Sequence, residues 1–219
     1  MNLDLLVDAL PSFARGAWIT LWVSVLATGL GALLGFVLNA ALQLCPRCAA
    51  PCRAFVSVFR GTPFLAQLFV LYFGLPEAGI RLGALQATVI GLTLYGAAYF
   101  AEIFRAAWQS IPPGQVEAAR TFGLSRLQVL RDIEMPQALR LAIPMLTNQA
   151  ILVLKESSVA SIITVPELTM TAGTLVADSF SYLEPYLLLG LVYWLLALSL
   201  SGLGRIAEKA ASSPSARKT

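Results

Sequence analysis

Between Arg15 and Arg47 the chain carries no aspartate, glutamate, lysine or arginine. That stretch exceeds the roughly 20 helical residues needed to cross a hydrocarbon core of about 30 Å. Lipid offers the backbone no hydrogen-bonding partners, so such a segment is expected to close its own bonds as an α-helix. The rest of the chain repeats the pattern. Only 12% of its 219 residues are charged and 58% are hydrophobic, against about 25% charged in a soluble domain; the mean hydropathy is +0.75. The spacing predicts five spans, at about 17–44, 54–75, 85–108, 141–164 and 185–204, the second interrupted early by Arg60-Gly61-Thr62-Pro63. The expectation is one all-α integral membrane domain over 1–209, followed by a small, polar, basic and disordered tail over 210–219. The first span is read as retained: it is too long for a signal peptide and lacks a basic start before its apolar run.

Basic residues set the orientation. Five spans leave Arg47, Arg53, Arg120, Arg126, Arg131, Arg140 and the tail cations on one side. The other side keeps Arg15 and Arg81 beside Asp4, Asp8, Glu77, Glu167, Asp178 and Glu184. The N-terminus is therefore expected outside and the C-terminus in the cytoplasm. The net charge of +3 comes from residues that punctuate apolar segments, a membrane-topology pattern rather than the solvated basic face of a nucleic-acid binder.

Absences narrow the chemistry. There is no histidine, which excludes histidine-based triads and HExxH zinc sites. Gly-Lys occurs nowhere, so the chain has no phosphate-cradling GxxxxGK[ST] loop. Cys45, Cys48 and Cys52 have C-x2-C-x3-C spacing, but a tetrahedral metal site needs a fourth ligand and the chain has no further cysteine. A Pro-containing turn between reduced thiols is the expectation there, with no metal.

The loop between the third and fourth spans, about 112–136, carries the most information. Proline suits a first helical turn and glycine the position past a helix end, so a short helix from about Pro113 to Phe122 closed by Gly123 is expected. Ser125 and Gln128 form a capping box for a second short helix, with Pro136 as its stop. The two would make a knob. Ala118 and Ala119 permit close approach by a partner, Glu117 and Arg120 offer ionic contacts, and Phe122 and Leu124 an apolar anchor, as for a helix seated in another protein's groove. An amphipathic loop lying on the lipid surface fits the four arginines equally well.

Glu117-Ala118-Ala119, Gly123, Ile133 and Met135-Pro136, at their spacing, resemble the EAA signature of ABC-importer permeases, Met135 standing where that pattern has leucine. Phe59-Arg60-Gly61-Thr62-Pro63, Ala98 to Arg105, Gln109 to Gln115, Lys155-Glu156-Ser157-Ser158 and Glu167-Leu168-Thr169 resemble the polar amino acid uptake branch of that family. There Asp-Thr-Ser is expected where Glu156, Ser157 and Ser158 stand. The resemblance covers about residues 12 to 208. It implies a multi-pass permease of the bacterial inner membrane that works by alternating access. The loop, through Glu117, Ala118, Ala119, Gly123 and Pro136, would couple to a cytoplasmic ATPase dimer. ATP and magnesium would sit on that ATPase and no cofactor on this chain. The further partners implied are a second permease, identical or related, and an extracytoplasmic amino acid binding protein.

Ionisable residues inside a span cost about 2.5–3.5 kcal/mol each on insertion scales and face a cavity or a partner. Arg60, Thr62, Glu156 and Ser157 are candidate substrate contacts, a guanidinium for the carboxylate of an amino acid and an acid for its ammonium. In a structural reading Arg60 instead snorkels to the headgroups, and Lys155 and Glu156 hold helices together. Lys155 and Glu156 are neighbours about 100° apart on a helix and are not expected to pair; Glu102 and Arg105, three apart, are. Gly31-x-x-x-Gly35 suits close helix packing, within the subunit or between permeases. A stand-alone channel or secondary transporter is the alternative, although the internal repeat usual for such transporters is absent from these five spans.

Overall fold

The charge-free stretch, as far as Leu44, lies in α1, Leu3–Leu44, one helix of 42 residues. At 1.5 Å per residue it is about 63 Å long, twice the hydrocarbon thickness. The computed structural model describes residues 3–45 and 47–212. Ala9, Phe13, Thr20, Val23 and Ala27 are all buried on α1, a three-to-four-residue rhythm that lays one stripe against the rest of the bundle while Trp18, Leu30, Leu33 and Val37 face outward.

Where a single interrupted span was expected over 54–75, the chain forms two arms. Helix α2, Ala49–Gly61, and helix α3, Phe64–Phe69, which continues through wider and tighter turns to Ala78, meet at an angle of 109°. Thr62 is extended (φ −118°, ψ 146°) because the residue before proline is kept out of the helical region, and Pro63 has no N–H to continue the ladder. Gln67 holds the corner. Its Nε2 donates to the Phe59 carbonyl (2.9 Å), the Thr62 carbonyl (3.1 Å) and the Thr62 hydroxyl (2.9 Å).

Helix α4, Ala84–Gln109, is the central element. Gly31 and Gly35 of α1 lie directly on it: a Cβ added at Gly35 would stand 2.6 Å from the Phe100 Cβ and 2.9 Å from the Ala97 carbonyl oxygen, and one at Gly31 3.2 Å from the Thr93 carbonyl oxygen. The glycine pair therefore serves packing within the chain. Around α4, Val23, Phe64, Leu68, Leu92, Tyr95 and Val153 form one core and Phe100, Phe104, Ile111, Ala138 and Ala142 a second.

Helix α5, Pro113–Thr121, ends as expected at Gly123 (φ +83°), with Leu124 N–H donating to the Ala119 carbonyl and Gly123 N–H to that of Arg120. The Ser125–Gln128 capping box opens α6, Arg126–Gln128. Pro136 does not stop it. A single π turn, Val129–Glu134, carries the helix into α7, Met135–Glu156, and Pro136 lies in the first turn of α7, where its missing N–H disrupts least. A tight 3-10 turn, Ser157–Ile163, follows α7. The connection beyond it, where no span was expected, contains α8, Leu168–Ser179. Helix α9, Leu183–Ser212, then runs mostly exposed along the bundle and into the expected tail, whose residues 213–219 lie outside the described ones.

Among the described residues four helical segments are long and apolar enough to cross a membrane: 5–43, 84–109, 126–163 and 183–211, with the bent α2–α3 pair as a fifth. The protein is an all-α, multi-pass membrane protein.

Candidate functional site

Arg60, in the last turn of α2, reaches across to α4. Its Nη1 is 3.4 Å from the Glu102 carboxylate, which also takes a 2.6 Å ion pair from Arg105 Nη2. Arg105 Nε lies 3.1 Å from both Glu102 oxygens, and its Nη1 donates to Gln109 at 2.7 Å. The expected Glu102–Arg105 pair is present, with Arg60 as a third member. Two turns of α4 thus gather the charges beside a helix break.

The Arg60 guanidinium also lies 5.5 Å from the centroid of the Tyr99 ring, within cation–π range. Tyr99 packs in a tilted arrangement on Tyr95, one turn along α4, with ring centroids 4.8 Å apart, and Tyr95 shares a core with Val153 of α7, three positions before Glu156. Two tyrosines therefore run from Arg60 along α4 toward the part of α7 that carries half-buried Glu156. This ladder was not legible in the sequence, where only the four-residue spacing of Tyr95 and Tyr99 hinted at it.

The other two candidates have internal partners. The Thr62 hydroxyl donates to the Val58 carbonyl at 2.8 Å and accepts from Gln67. Ser157 is buried and donates to the Leu154 carbonyl at 2.7 Å. Both stand at helix breaks, Thr62 at the α2–α3 corner and Ser157 where α7 tightens. Lys155 is exposed, and among the described residues neither it nor Glu156 forms an ion pair.

Glu167 was legible in the sequence as an outer-side acid and in the Glu167-Leu168-Thr169 resemblance, but not as a buried group. It is 1% exposed. One carboxylate oxygen accepts from Met170 N–H (2.9 Å) and so caps α8; the other accepts from the Tyr193 hydroxyl of α9 (2.9 Å) and lies 3.5 Å from the Thr20 hydroxyl of α1. Thr20 in turn accepts from Leu168 N–H at 3.2 Å. The Pro-Glu-Leu-Thr run was a weak signal, since glutamate is not among the favoured N-caps although a negative charge suits a helix N-terminus.

On α5, Glu117 and Ala118 are exposed, Ala119 is buried, and Phe122 stands 84% exposed at the tip. Ala118, Ala119, Phe122 and Leu124 line one wall of an open groove of about 990 Å³ whose other wall includes Arg131, Pro136 and Arg140. Gln137 of α7 donates to Gln115 at 2.8 Å and holds the two walls together.

Cys45, Cys48 and Cys52 are free thiols about the α1–α2 turn. The Cys48 thiol donates to Cys45, which lowers the Cys45 thiol from its ordinary value and raises that of Cys48. Among the described residues they do not form a group able to hold a metal ion.

A chain of an amino acid ABC transporter of known structure superposes with a TM-score of 0.91 at 33% identity, covering 96% of this chain and 99% of that one. The probable amino-acid ABC transporter permease protein YckA of Bacillus subtilis (strain 168) is 38% identical over 209 residues, 95% of this chain and 92% of its own. The arginine transport system permease protein ArtQ of the same organism is 35% identical, with 95% and 97% covered. Residues 27–213 match the family described as binding-protein-dependent transport system inner membrane component. The chain belongs to that family of binding-protein-dependent inner-membrane transport components.

Proposed function

We propose that this chain forms half of the translocation pathway of an ATP-driven amino acid importer. In this reading the N-terminus is outside, the C-terminus is cytoplasmic, and α5 seats in a cleft of a cytoplasmic ATPase that holds the ATP and magnesium. Two such ATPases, a second permease and an extracytoplasmic binding protein complete the assembly. The observation that carries the reading is α5 itself: a nine-residue helix with Phe122 84% exposed beyond the membrane-length segments. An exposed aromatic on a short rigid helix is a typical interface anchor. Glu117, Ala118, Ala119, Gly123 and Pro136 build its contact face and its connection to α7. Nucleotide binding then biases one of two permease states, and by linkage the state presented to the substrate alters nucleotide binding.

The substrate group in this proposal is Arg60, Thr62, Glu156 and Ser157. Arg60 stands against Tyr99 of the Tyr99–Tyr95 pair and Glu156 lies on α7, three positions from the Val153 that packs in the Tyr95 core, the one suited to a carboxylate and the other to an ammonium. Thr62 and Ser157 set the helix breaks beside them. Arg60 would exchange its 3.4 Å contact with Glu102 for the substrate.

Reconstitution in liposomes with the cognate ATPase and binding protein tests this. Uptake is expected to require ATP, to be lost when Phe122 is replaced by aspartate, and to fall at least tenfold in Arg60→Ala and Glu156→Gln with assembly intact. Solute movement by this chain alone at full rate without nucleotide would overturn the functional reading; normal uptake by both site variants would overturn the site.

A further inference from the structure

Toward the C-terminal ends of α1 and α4 and along α2, three helices turn polar stripes toward one cavity of about 560 Å³. Helix α1 contributes Asn39 and Gln43, α2 contributes Arg53, Ser57 and Arg60, and α4 contributes Glu102, Arg105 and Gln109. The spacings are i, i+4 on α1, i, i+4, i+7 on α2 and i, i+3, i+7 on α4, each a single helical face. A bundle with so little charge does not align three such faces by apolar packing alone.

Three guanidiniums face one carboxylate in this cavity, a surplus of two positive charges. Glu102 is committed to Arg105 through three contacts, and Arg60 closes the inner end between Glu102 and Tyr99. Arg53 is exposed and has no hydrogen-bond or ion-pair partner among the described residues. The cavity lies at the membrane boundary: α4, at 26 residues, is about 39 Å long, so its last turns pass beyond a core of about 30 Å. Leu42 lines the same cavity, and Val58 on the adjoining face of α2 is 58% exposed, which leaves room for acyl chains beside the cations. Basic pockets between membrane helices suit anionic headgroups.

We infer that this cavity binds the phosphodiester headgroup of an anionic glycerophospholipid, with Arg53 and Arg105 as the charged contacts and Ser57 and Gln43 as hydrogen-bonding partners. A two-phosphodiester lipid matches the surplus charge. The site needs only the membrane placement of α1 and α4; which leaflet it faces rests on the orientation proposed above.

The purified transporter, in nanodiscs of phosphatidylcholine with a minor fraction of diphosphatidylglycerol, is examined by native mass spectrometry for retained lipid. Wild-type protein is expected to keep the anionic lipid over phosphatidylcholine. Arg53→Gln is expected to lower its retention about fivefold, the scale of one basic residue near an anionic surface. Arg53→Lys should recover most of it, and Arg205→Gln, an equal charge loss on α9, should leave it unchanged. Equal retention in wild type and Arg53→Gln overturns the site. Displacement by millimolar inorganic phosphate assigns the cavity to a free anion and overturns the lipid. Loss of the ATPase from Arg53→Gln with lipid retained makes this face a protein contact and overturns it as well. Lipid retention is read without ATP or amino acid, so the result stands apart from that of the transport assay.

Discussion

The Tyr193 hydroxyl donates to the Glu167 carboxylate at 2.9 Å, and through this bond α9 is tied to the N-terminus of α8. With Thr20 beside it, one buried acid joins the consecutive helices α8 and α9 to α1, 147 positions earlier. Removing the hydroxyl in Tyr193→Phe is expected to cost about 1 kcal/mol, the net worth of one hydrogen bond. Glu167→Ala removes the α8 cap as well and leaves the Tyr193 hydroxyl only the Thr169 hydroxyl at 3.4 Å, a loss of about 2–3 kcal/mol. Thermal unfolding of the purified protein reads both; equal midpoints for the two variants would mean that the cap contributes nothing.

The α1–α4 contact gives an internally controlled comparison. A methyl group at Gly35 meets Phe100 and the Ala97 and Ala101 backbone within 3 Å, whereas one at Gly29 meets nothing within 4 Å. Gly35→Ala is expected to destabilise by about 1–3 kcal/mol through overpacking, and Gly29→Ala to be neutral or slightly stabilising. Monodispersity and melting temperature in detergent, measured side by side, check the pair.

These two cases mark what could be read in advance. The Pro113 start, the Gly123 end and the Ser125–Gln128 box were legible because each is made by residues within a few positions of one another. Charge-free runs located the long helices for the same local reason. Partner choice is not local. Gly31 and Gly35 signalled close packing but not against what, and Arg60 gave no sign of meeting Glu102, 42 positions away. Pro136 misled because proline stops a regular ladder, whereas here a π turn delivers it into the first turn of α7.

Gly123 isolates backbone from contact. Its φ of +83° is left-handed, and a Cβ there would meet nothing within 4 Å. Gly123→Ala is therefore expected to cost about 1 kcal/mol by conformation alone, fraying the end of α5 without a clash. In the proposed coupling it should weaken ATPase co-purification less than Phe122→Asp does, and Gly123→Asn, which tolerates the left-handed region better, should lie nearer to wild type.

Gln67 offers the sharpest test of the corner between α2 and α3. One buried amide satisfies the Phe59 and Thr62 carbonyls at the end of α2, and the Pro63 nitrogen, which would bond the Phe59 carbonyl in a continuing helix, carries no hydrogen. Gln67→Leu keeps similar bulk but strands those carbonyls, at about 1–3 kcal/mol. Gln67→Glu, if ionised, sets a carboxylate against the carbonyls and should be worse than leucine. Because Arg60 sits in the last turn before this corner, loosening it should also free the guanidinium from Glu102. Spin labels on α2 and α3 are expected to report a broader distance distribution in Gln67→Leu than in wild type; an unchanged distribution would mean that Pro63 alone holds the 109° bend.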